Sequence, residues 1–381
     1  MPNPPSLAEI FACFVRIGTT AYGGPAMLPL FRERIVTGKG WLSAEGFKLG
    51  LSLCQTIPGG TLMQMSAYTG LTLRGLPGAL AGFIGFALPA TALITALSAL
   101  YHHFQGLALT RAFMAGLSVV VLAIVLLAVT DFGQKYARGL RRVLLTLAAA
   151  GLFLAGVGPG VIIASAALAG LVLFRHPAPD PTAAPRPVAN LPALAVLAAL
   201  ALGWLCLVFV LDPVLFTLCL SMAKADLLAF GGFGAFPVLY HEAVDLHGWM
   251  DSATFLDGMA LAQVTPGPIL LASSFVGYHL RGVLGAVAGA VWIFTPSFFI
   301  LTAAVPISDR LLGSALFRRA LDGVLSTLGG LILAVGLTLA RSTDWTWPKA
   351  LLFAAALLAL WRKINPLWVV LAGAGIGATW L

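Results

Sequence analysis

Residues 21–60 read AYGGPAMLPLFRERIVTGKGWLSAEGFKLGLSLCQTIPGG, and residues 229–268 read AFGGFGAFPVLYHEAVDLHGWMDSATFLDGMALAQVTPGP. Thirteen of these 40 aligned positions are identical, and most of the identities fall on Gly, Pro, Trp and Gln. After one residue is dropped, the offset changes from 208 to 207 and the match continues, with Leu73-Arg74-Gly75 on Leu280-Arg281-Gly282, Pro89 on Pro296 and Pro159 on Pro366. Such self-similarity predicts that the chain is built from two homologous halves.

The composition is that of a membrane protein. Of 381 residues, 60% are hydrophobic and 9% are charged, whereas soluble proteins carry about 25% charged residues. This excludes a soluble enzyme, a nucleic-acid-binding protein and a disordered protein. The net charge of +8 does not indicate a nucleic-acid partner, because the charges lie between long apolar runs and form no stripe. The lipid bilayer is therefore the expected environment.

The apolar runs predict an all-α polytopic membrane protein. A helix needs about 20 apolar residues to cross the hydrocarbon core, and no alternating pattern of a β-barrel is present. The runs are 7–30, 49–72, 77–100, 112–130, 143–156, 159–174, 191–210, 214–230, 254–278, 283–305, 320–340, 348–361 and 366–381. A proline-rich linker at 175–190 and the extra run 191–210 separate the halves. The predicted division is an N-terminal repeat 1–174, a linker with an extra transmembrane helix 175–212, and a C-terminal repeat 213–381.

The loop charges predict that the two repeats have opposite orientations. The run 191–210 has no counterpart in the first half, and one extra span between two copies with an even number of spans would invert the second copy. Loop 31–48 holds four Lys and Arg residues against two Glu, whereas its partner 239–256 holds acidic residues and neither Lys nor Arg. Cytoplasmic loops are enriched in Lys and Arg, so the first loop is expected on the cytoplasmic side.

Two glycine-rich segments at equivalent positions predict broken helices. Gly23-Gly24 and Gly231-Gly232 each interrupt an apolar run, and each glycine lowers helix stability by about 1 kcal/mol relative to Ala. In a membrane, unwound backbone is tolerated where protein or a water-filled cavity surrounds it. One interpretation is close helix packing through small residues. The other, a discontinuous helix at a substrate site, is favoured because the break recurs in both halves.

A second recurring motif is Gln-x-x-Pro-Gly. It reads Gln55-Thr-Ile-Pro58-Gly59-Gly60 in the first half and Gln263-Val-Thr-Pro266-Gly267-Pro268 in the second. A break at proline leaves the N–H groups and the positive end of the following half-helix free to bind an anion. A plain proline kink is the alternative, although matched Gln residues before both prolines favour a site.

Arg16 and Lys224 occupy the same repeat position, 208 residues apart, inside apolar segments. An intramembrane cation costs on the order of 3 kcal/mol by insertion scales and is usually functional. Snorkelling toward the interface is the alternative, and Asp226 could neutralise Lys224 as a structural pair. Two cations and two half-helix N-termini would suit a dianion. No cluster of metal ligands or nucleophile and base recurs, and no P-loop is present, so neither an enzyme nor a cofactor is expected.

The AYGGP segment, the two Gln-x-x-Pro-Gly motifs, and Gly40-Trp41 with Gly248-Trp249 together resemble the chromate transporter family in its long, two-domain form. The resemblance covers the whole chain. It implies export of chromate from the cytoplasm and chromate resistance, with sulfate as a structural analogue, and opposed orientation of the halves. Tyr22 replaces the usual Phe of the first motif, and Phe233 stands where the first repeat has Pro25.

The sequence thus predicts a multi-pass secondary transporter of the bacterial inner membrane that exports chromate by alternating access. The alternative is an importer or exchanger of sulfate or another oxyanion. A coupling ion and a homodimer are both compatible with the sequence, which assigns neither. The predicted substrate-binding residues are Arg16, Lys224, Gly23, Gly24, Gly231, Gly232, Gln55, Pro58, Gly59, Gly60, Gln263, Pro266 and Gly267.

Overall fold

The computed structural model describes residues 4–20, 27–175 and 191–380. These residues form helices and no strand, which confirms the predicted all-α class. The helices are α1 Leu7–Thr20, α2 Met27–Arg32, α3 Ala44–Thr56, α4 Thr61–Phe104, α5 Ala108–Tyr136, α6 Leu140–Leu154, α7 Pro159–Leu173, α8 Leu191–Leu211, α9 Pro213–Leu227, α10 Phe236–Tyr240, α11 Ser252–Val264, α12 Ala272–Trp292, α13 Thr295–Ala304, α14 Ser308–Gly313, α15 Ala315–Arg341, α16 Trp347–Trp361 and α17 Pro366–Trp380.

Within the described ranges, five helical stretches are long and apolar enough to cross a membrane: Thr61–Phe104, Ala108–Tyr136, Pro192–Leu211, Ile269–Gly313 and Ala315–Arg341. Three shorter apolar helices, α7, α16 and α17, have 15 residues each. The extra run between the halves is the continuous helix α8, as predicted. The chain is therefore a multi-pass membrane protein.

The chain folds into two compact units, each built from both repeats. The first takes residues from Met1–Thr95, Ala178–Ala235 and Thr265–Ser314, and the second from Ala96–Pro177, Phe236–Val264 and Ala315–Leu381. The division into 1–174, 175–212 and 213–381 stays a prediction about the repeats, and 176–190 of its linker lies outside the described residues.

In the first unit, α4 and α12 are hairpins rather than straight helices. Their backbones reverse at Arg74-Gly75, where the glycine φ is 64°, and at Arg281-Gly282, where it is 55°. A Cβ placed on Gly70 would lie 2.0 Å from the carbonyl oxygen of Gly78 across the α4 hairpin. The first arm, 61–73, rises only about 20 Å, which is less than the roughly 30 Å of hydrocarbon that a full span must cross. The predicted run 49–72 is accordingly two pieces, α3 and this arm.

Each hairpin turn is hydrogen-bonded to residues that directly precede the first helix of its own repeat. The Arg74 guanidinium donates to the carbonyl oxygens of Pro5 and Pro4 at 2.7 and 2.8 Å. The Arg281 guanidinium donates to both carboxylate oxygens of Asp212 at 2.6 and 3.0 Å. This bond holds the pKa of the Asp212 carboxyl below its usual range. The repeat thus preserves the connection while the acceptor changes from backbone carbonyls to a carboxylate.

A π-helical turn recurs in the two repeats. It spans Glu33–Gly38 in the first and His241–Leu246 in the second, at an offset of 208. Each is followed two residues later by a glycine with positive φ, Gly40 at 62° and Gly248 at 58°. Turns of this kind are rare and costly, so their recurrence at the same repeat position confirms that both halves share one local structure.

In the second unit, equivalent helices of the two repeats pack antiparallel. A Cβ on Gly329 of α15 would lie 3.5 Å from the Phe132 Cβ of α5, and one on Gly336 would lie 3.1 Å from Val125 Cγ1. Residue numbers therefore fall along α5 as they rise along α15. Because α5 and α15 are the same element of the two repeats and both are long enough to span a membrane, their opposite directions are those of inverted-topology repeats.

Glycine contacts in the same unit are reciprocal. A Cβ on Gly116 of α5 would lie 2.2 Å from the Gly373 oxygen of α17, and one on Gly323 of α15 would lie 2.0 Å from the Ala166 oxygen of α7. Gly323 is the repeat counterpart of Gly116, as Gly373 is of Ala166. Each repeat thus packs its long helix on the last helix of the other, through the small residues that membrane helices use for close approach.

Candidate functional site

The two Pro-Gly loops belong to the first unit, and both interrupt helices as predicted. Residues 57–60 separate α3 from α4, and residues 265–268 separate α11 from the 3₁₀ turn Ile269–Leu271 that leads into α12. The glycine φ angles are 119° at Gly59 and 108° at Gly267, a region that L side chains rarely adopt. The conformation of both loops therefore requires glycine at this motif position.

Each Pro-Gly loop packs against the opposite repeat. A Cβ on Gly59 would lie 2.3 Å from the Ser297 Cβ, and one on Gly267 would lie 2.9 Å from the Ala90 Cβ. Ser297 and Ala90 are repeat counterparts, and each directly follows a proline, Pro296 or Pro89. The contacts are those of a two-fold arrangement, in which residue i contacts j and the counterpart of i contacts the counterpart of j.

The first Pro-Gly loop also touches the broken segment of the second repeat. The Gly59 N–H donates to the Ala229 carbonyl oxygen at 2.7 Å, and Gly59 forms an isolated bridge with Phe230. After this bridge Gly231 forms a bend with a φ of 76° and residues Gly232–Ala235 form a 3₁₀ turn, so the α-helix is interrupted between α9 and α10 as predicted. Gly231 and Gly232 are half-buried. Gly23 and Gly24 lie outside the described residues.

Gln64 is a polar residue of this region that sequence reasoning missed. Its side chain is fully buried, and its Nε2 donates to the carbonyl oxygen of Pro58. Among the residues described, its Oε1 has no hydrogen-bond partner. Nε2 lies 2.7 Å from the position that a Cβ on Gly59 would take. The loop is thus lined by a buried amide whose acceptor oxygen is available to a ligand or water.

Asp226, which the sequence suggests only as a partner for Lys224, is the second buried polar group of this region. It is fully buried on α9, and its Oδ2 accepts the Ser297 N–H near the start of α13 at 2.6 Å. In the described part of the chain, its Oδ1 has no hydrogen-bond partner. The structure gives no support to the suggested pairing with Lys224: Asp226 is buried and Lys224 is exposed, and side chains two residues apart on a helix do not face each other.

The predicted cations and glutamines lie elsewhere on their elements. Arg16 on α1, Lys224 in the last turn of α9 and Gln55 on α3 are exposed. Gln263 is half-buried at the end of α11, in the second unit. In the first unit, the structure therefore brings Gly59, with Pro58 and Gly60 of its loop, together with buried groups of the second repeat. Among the described residues, the structure shows no contact of the Arg16 side chain with this loop.

Another acidic residue, Asp257 of α11, lies in the second unit. Its Oδ2 accepts the Tyr101 hydroxyl at 2.9 Å, and its Oδ1 accepts the Ser118 hydroxyl at 2.8 Å. Both oxygens of this half-buried carboxylate are thus satisfied, as expected for a structural polar group inside a bundle. Asp226 differs in that only one of its oxygens is paired.

Comparison with known proteins places the chain in a family. The chromate transporter family model matches residues 8–171 and again residues 216–378. The chain is 35% identical to an uncharacterized transporter of Methanocaldococcus jannaschii, over 98% of the chain and 94% of that protein. It is 32% identical to a chromate transport protein of Pseudomonas aeruginosa, over 100% of the chain and 94% of that protein. A chromate transport protein of Cupriavidus metallidurans is 27% identical over 98% of the chain and 92% of its own length.

No solved structure gives a significant match. The family model matches once per repeat and leaves out 172–215, where the linker and α8 lie. The recurrence found within the sequence is therefore a repeat of one family module. The chain belongs to the chromate transporter family.

Proposed function

We propose that this protein is a secondary transporter that exports chromate from the cytoplasm across the bacterial inner membrane and so confers chromate resistance. The observation that carries the proposal is the reciprocal packing of the two Pro-Gly loops, Gly59 on Ser297 and Gly267 on Ala90. It places two helix breaks in one unit, related by the pseudo-two-fold arrangement expected of a substrate site between inverted repeats. The names of the bacterial relatives support chromate as the cargo.

The proposed site uses backbone and neutral donors to bind the oxyanion. α4 begins at Thr61, directly after the first loop, and the N–H groups of a first helical turn have no intrahelical acceptor. Together with the positive end of the helix dipole they suit an anion. We assign anion capping to the N–H groups that follow Pro58 and Pro266, apart from the Gly59 N–H, which already donates to the Ala229 carbonyl oxygen. The supporting roles are hydrogen-bond donation by Gln55 and Gln263, unwound backbone at Gly23, Gly24, Gly231 and Gly232, and counter-charge from Arg16 and Lys224.

Transport in this proposal is alternating access. The two repeats, 1–174 and 213–381, change their arrangement around the bound oxyanion, and the linker and α8 of 175–212 allow their opposite orientations. The antiparallel packing of α5 and α15 supports this scheme, because it is the arrangement that an inverted repeat requires. The drive would come from an ion gradient or from exchange of anions.

Uptake of chromate into everted inner-membrane vesicles tests the proposal. Vesicles that contain the protein are expected to accumulate chromate above empty vesicles, and excess sulfate should reduce the uptake because the two dianions have similar size and charge. Collapse of the ion gradients should abolish accumulation. No uptake above the empty membranes would contradict chromate export, and uptake of sulfate into intact cells would then support the importer.

Substitution of the two matched cations tests their assigned role. Arg16→Gln and Lys224→Gln should each reduce vesicle uptake about tenfold or more, the loss expected when about 1.4 kcal/mol of binding is removed, while membrane abundance stays normal. Lys135→Gln is the matched control, because Lys135 is an exposed cation near a helix end whose repeat position holds Ser342. Normal uptake by both variants would remove Arg16 and Lys224 from the site.

A further inference from the structure

The Asp226 carboxylate is buried but only half satisfied. Its side chain is 0% exposed, Oδ2 accepts one backbone N–H, and Oδ1 has no partner within the described ranges. A buried carboxylate is costly unless a cation or several donors compensate its charge. Here no ion pair forms with Asp226 among the described residues, so the compensation comes from the Ser297 N–H in the first turn of α13. The position is therefore suited to a group that gains and loses a proton.

The helices that pack most extensively against α9 bring no charged group to Asp226. They are α8, α12 and α13, and neither α8 nor α13 contains a titratable Asp, Glu, His, Lys or Arg. On α12, His279 and Arg281 lie at the hairpin turn, where Arg281 binds Asp212 at the start of α9. Asp212 and Asp226 are 14 positions apart, which is about 21 Å along a helix. Lys224, on α9 itself, is exposed on another face.

The carboxylate is adjacent to the proposed oxyanion site. Ser297, whose N–H it binds, contacts the first Pro-Gly loop, because its Cβ and Oγ lie 2.3 and 2.8 Å from the position of a Cβ on Gly59. The buried amide of Gln64 lies against the same point. Only Ser297 would thus separate a dianion bound at this loop from the Asp226 carboxylate. Two like charges at that separation in a low-dielectric interior disfavour each other, and the carboxylate relieves the repulsion by taking up a proton.

We propose that Asp226 is the proton-coupling site of the transporter. When the dianion binds, Oδ1 accepts one proton from water in the substrate pathway and forms the neutral carboxyl group, while Oδ2 keeps its hydrogen bond from Ser297. When the dianion leaves, the proton leaves as well. One proton and one dianion therefore cross together, and each cycle carries one net negative charge instead of two. This inference rests on the proposed function.

The site belongs to one repeat only. The counterpart of Asp226 is Gly18, and a Cβ on Gly18 would lie 2.6 Å from the Phe86 oxygen. The first repeat therefore has no room for a side chain at the position of the carboxylate. A single coupling group in a two-fold scaffold gives one proton per cycle.

The test compares the wild type with Asp226→Asn in proteoliposomes clamped at zero membrane potential, at alkaline pH where chromate is a dianion. In the wild type, a tenfold proton gradient directed with the chromate flux should raise the initial rate severalfold. Asp226→Asn should still move chromate down its own gradient but ignore the proton gradient, because the amide mimics the neutral carboxyl. Asp257→Asn, which alters the satisfied carboxylate, should keep the response of the wild type.

A second measurement tests the proposal on the wild type alone, in case Asp226→Asn does not fold. Addition of chromate or sulfate to the purified wild type in weakly buffered detergent should remove about one proton per protein from solution. Absence of proton uptake, a proton-gradient response in Asp226→Asn, or loss of chromate binding in a folded Asp226→Asn would each overturn the coupling role. Wild-type chromate flux without any response to the proton gradient would refute the coupling and leave the proposed function standing. No flux of chromate in the wild type would refute the proposed function instead.

Discussion

Gly116→Ala is expected to destabilise the second unit, because it adds a methyl group where α5 and α17 are in backbone contact. The new Cβ would lie 2.2 Å from the Gly373 oxygen and 2.8 Å from the Gly377 Cα, both backbone atoms of α17. A flexible side chain can relieve such a contact by changing its rotamer, but backbone atoms cannot. α5 and α17 would therefore have to separate. Overpacking of this kind costs about 1–3 kcal/mol or more. Thermal unfolding of the detergent-solubilised protein should show a clear loss, or the variant should fail to accumulate.

Gly133→Ala is the matched control on the same helix. No atom lies within 4 Å of a Cβ at Gly133, and replacement of a helical glycine by Ala gains up to about 1 kcal/mol in helix propensity. The control should therefore unfold at the same temperature as the wild type or slightly higher. Equal unfolding temperatures for Gly116→Ala and Gly133→Ala would show that α5 and α17 are not packed as closely as described.

The repeat and the class of fold could be predicted because they depend on local features of the sequence. The repeat is recognised from glycines at turns, prolines at helix breaks and apolar runs, which recur at fixed positions. The matched Arg74-Gly75 and Arg281-Gly282 are part of it. Their structural consequence could not be predicted, because the same dipeptide inside an apolar run is compatible with a kink or with a full reversal. Which it is depends on Gly70 and Gly78 meeting across the hairpin, a tertiary contact.

The candidate site was predicted where it recurs and missed where it does not. The Pro-Gly loops were found through their two copies. Asp226 and Ser297 occupy positions where the other repeat has Gly18 and Ala90, so the internal repeat gives no signal for them. The sequence suggests Asp226 only as a partner for Lys224, although the helix directs the two side chains to different faces. Groups that break the symmetry of a repeat protein need the structure for their discovery.

Gly59→Ala is expected to reduce chromate uptake into everted vesicles about tenfold or more. The added methyl group would lie 2.3 Å from the Ser297 Cβ and 2.7 Å from Gln64 Nε2, and a residue with a Cβ is strained at a φ of 119°. The loop would have to move away from Ala229, which accepts its N–H. Because the loop holds the proposed oxyanion site, this displacement should affect transport even where the protein still reaches the membrane.

Ser297→Gly added to Gly59→Ala separates the steric contact with Ser297 from the other effects of the new methyl group. Removal of the Ser297 side chain relieves the contact with the new methyl group and keeps the backbone N–H that Asp226 accepts. The double variant should therefore regain part of the uptake, and the remaining deficit should reflect the strained φ at position 59 together with the contact to Gln64 Nε2. Uptake equal to the wild type in Gly59→Ala alone would mean that the loop does not need its close approach to the opposite repeat. No recovery in the double variant would assign the loss to the strained backbone and the Gln64 contact, because removal of the Ser297 side chain would then restore nothing.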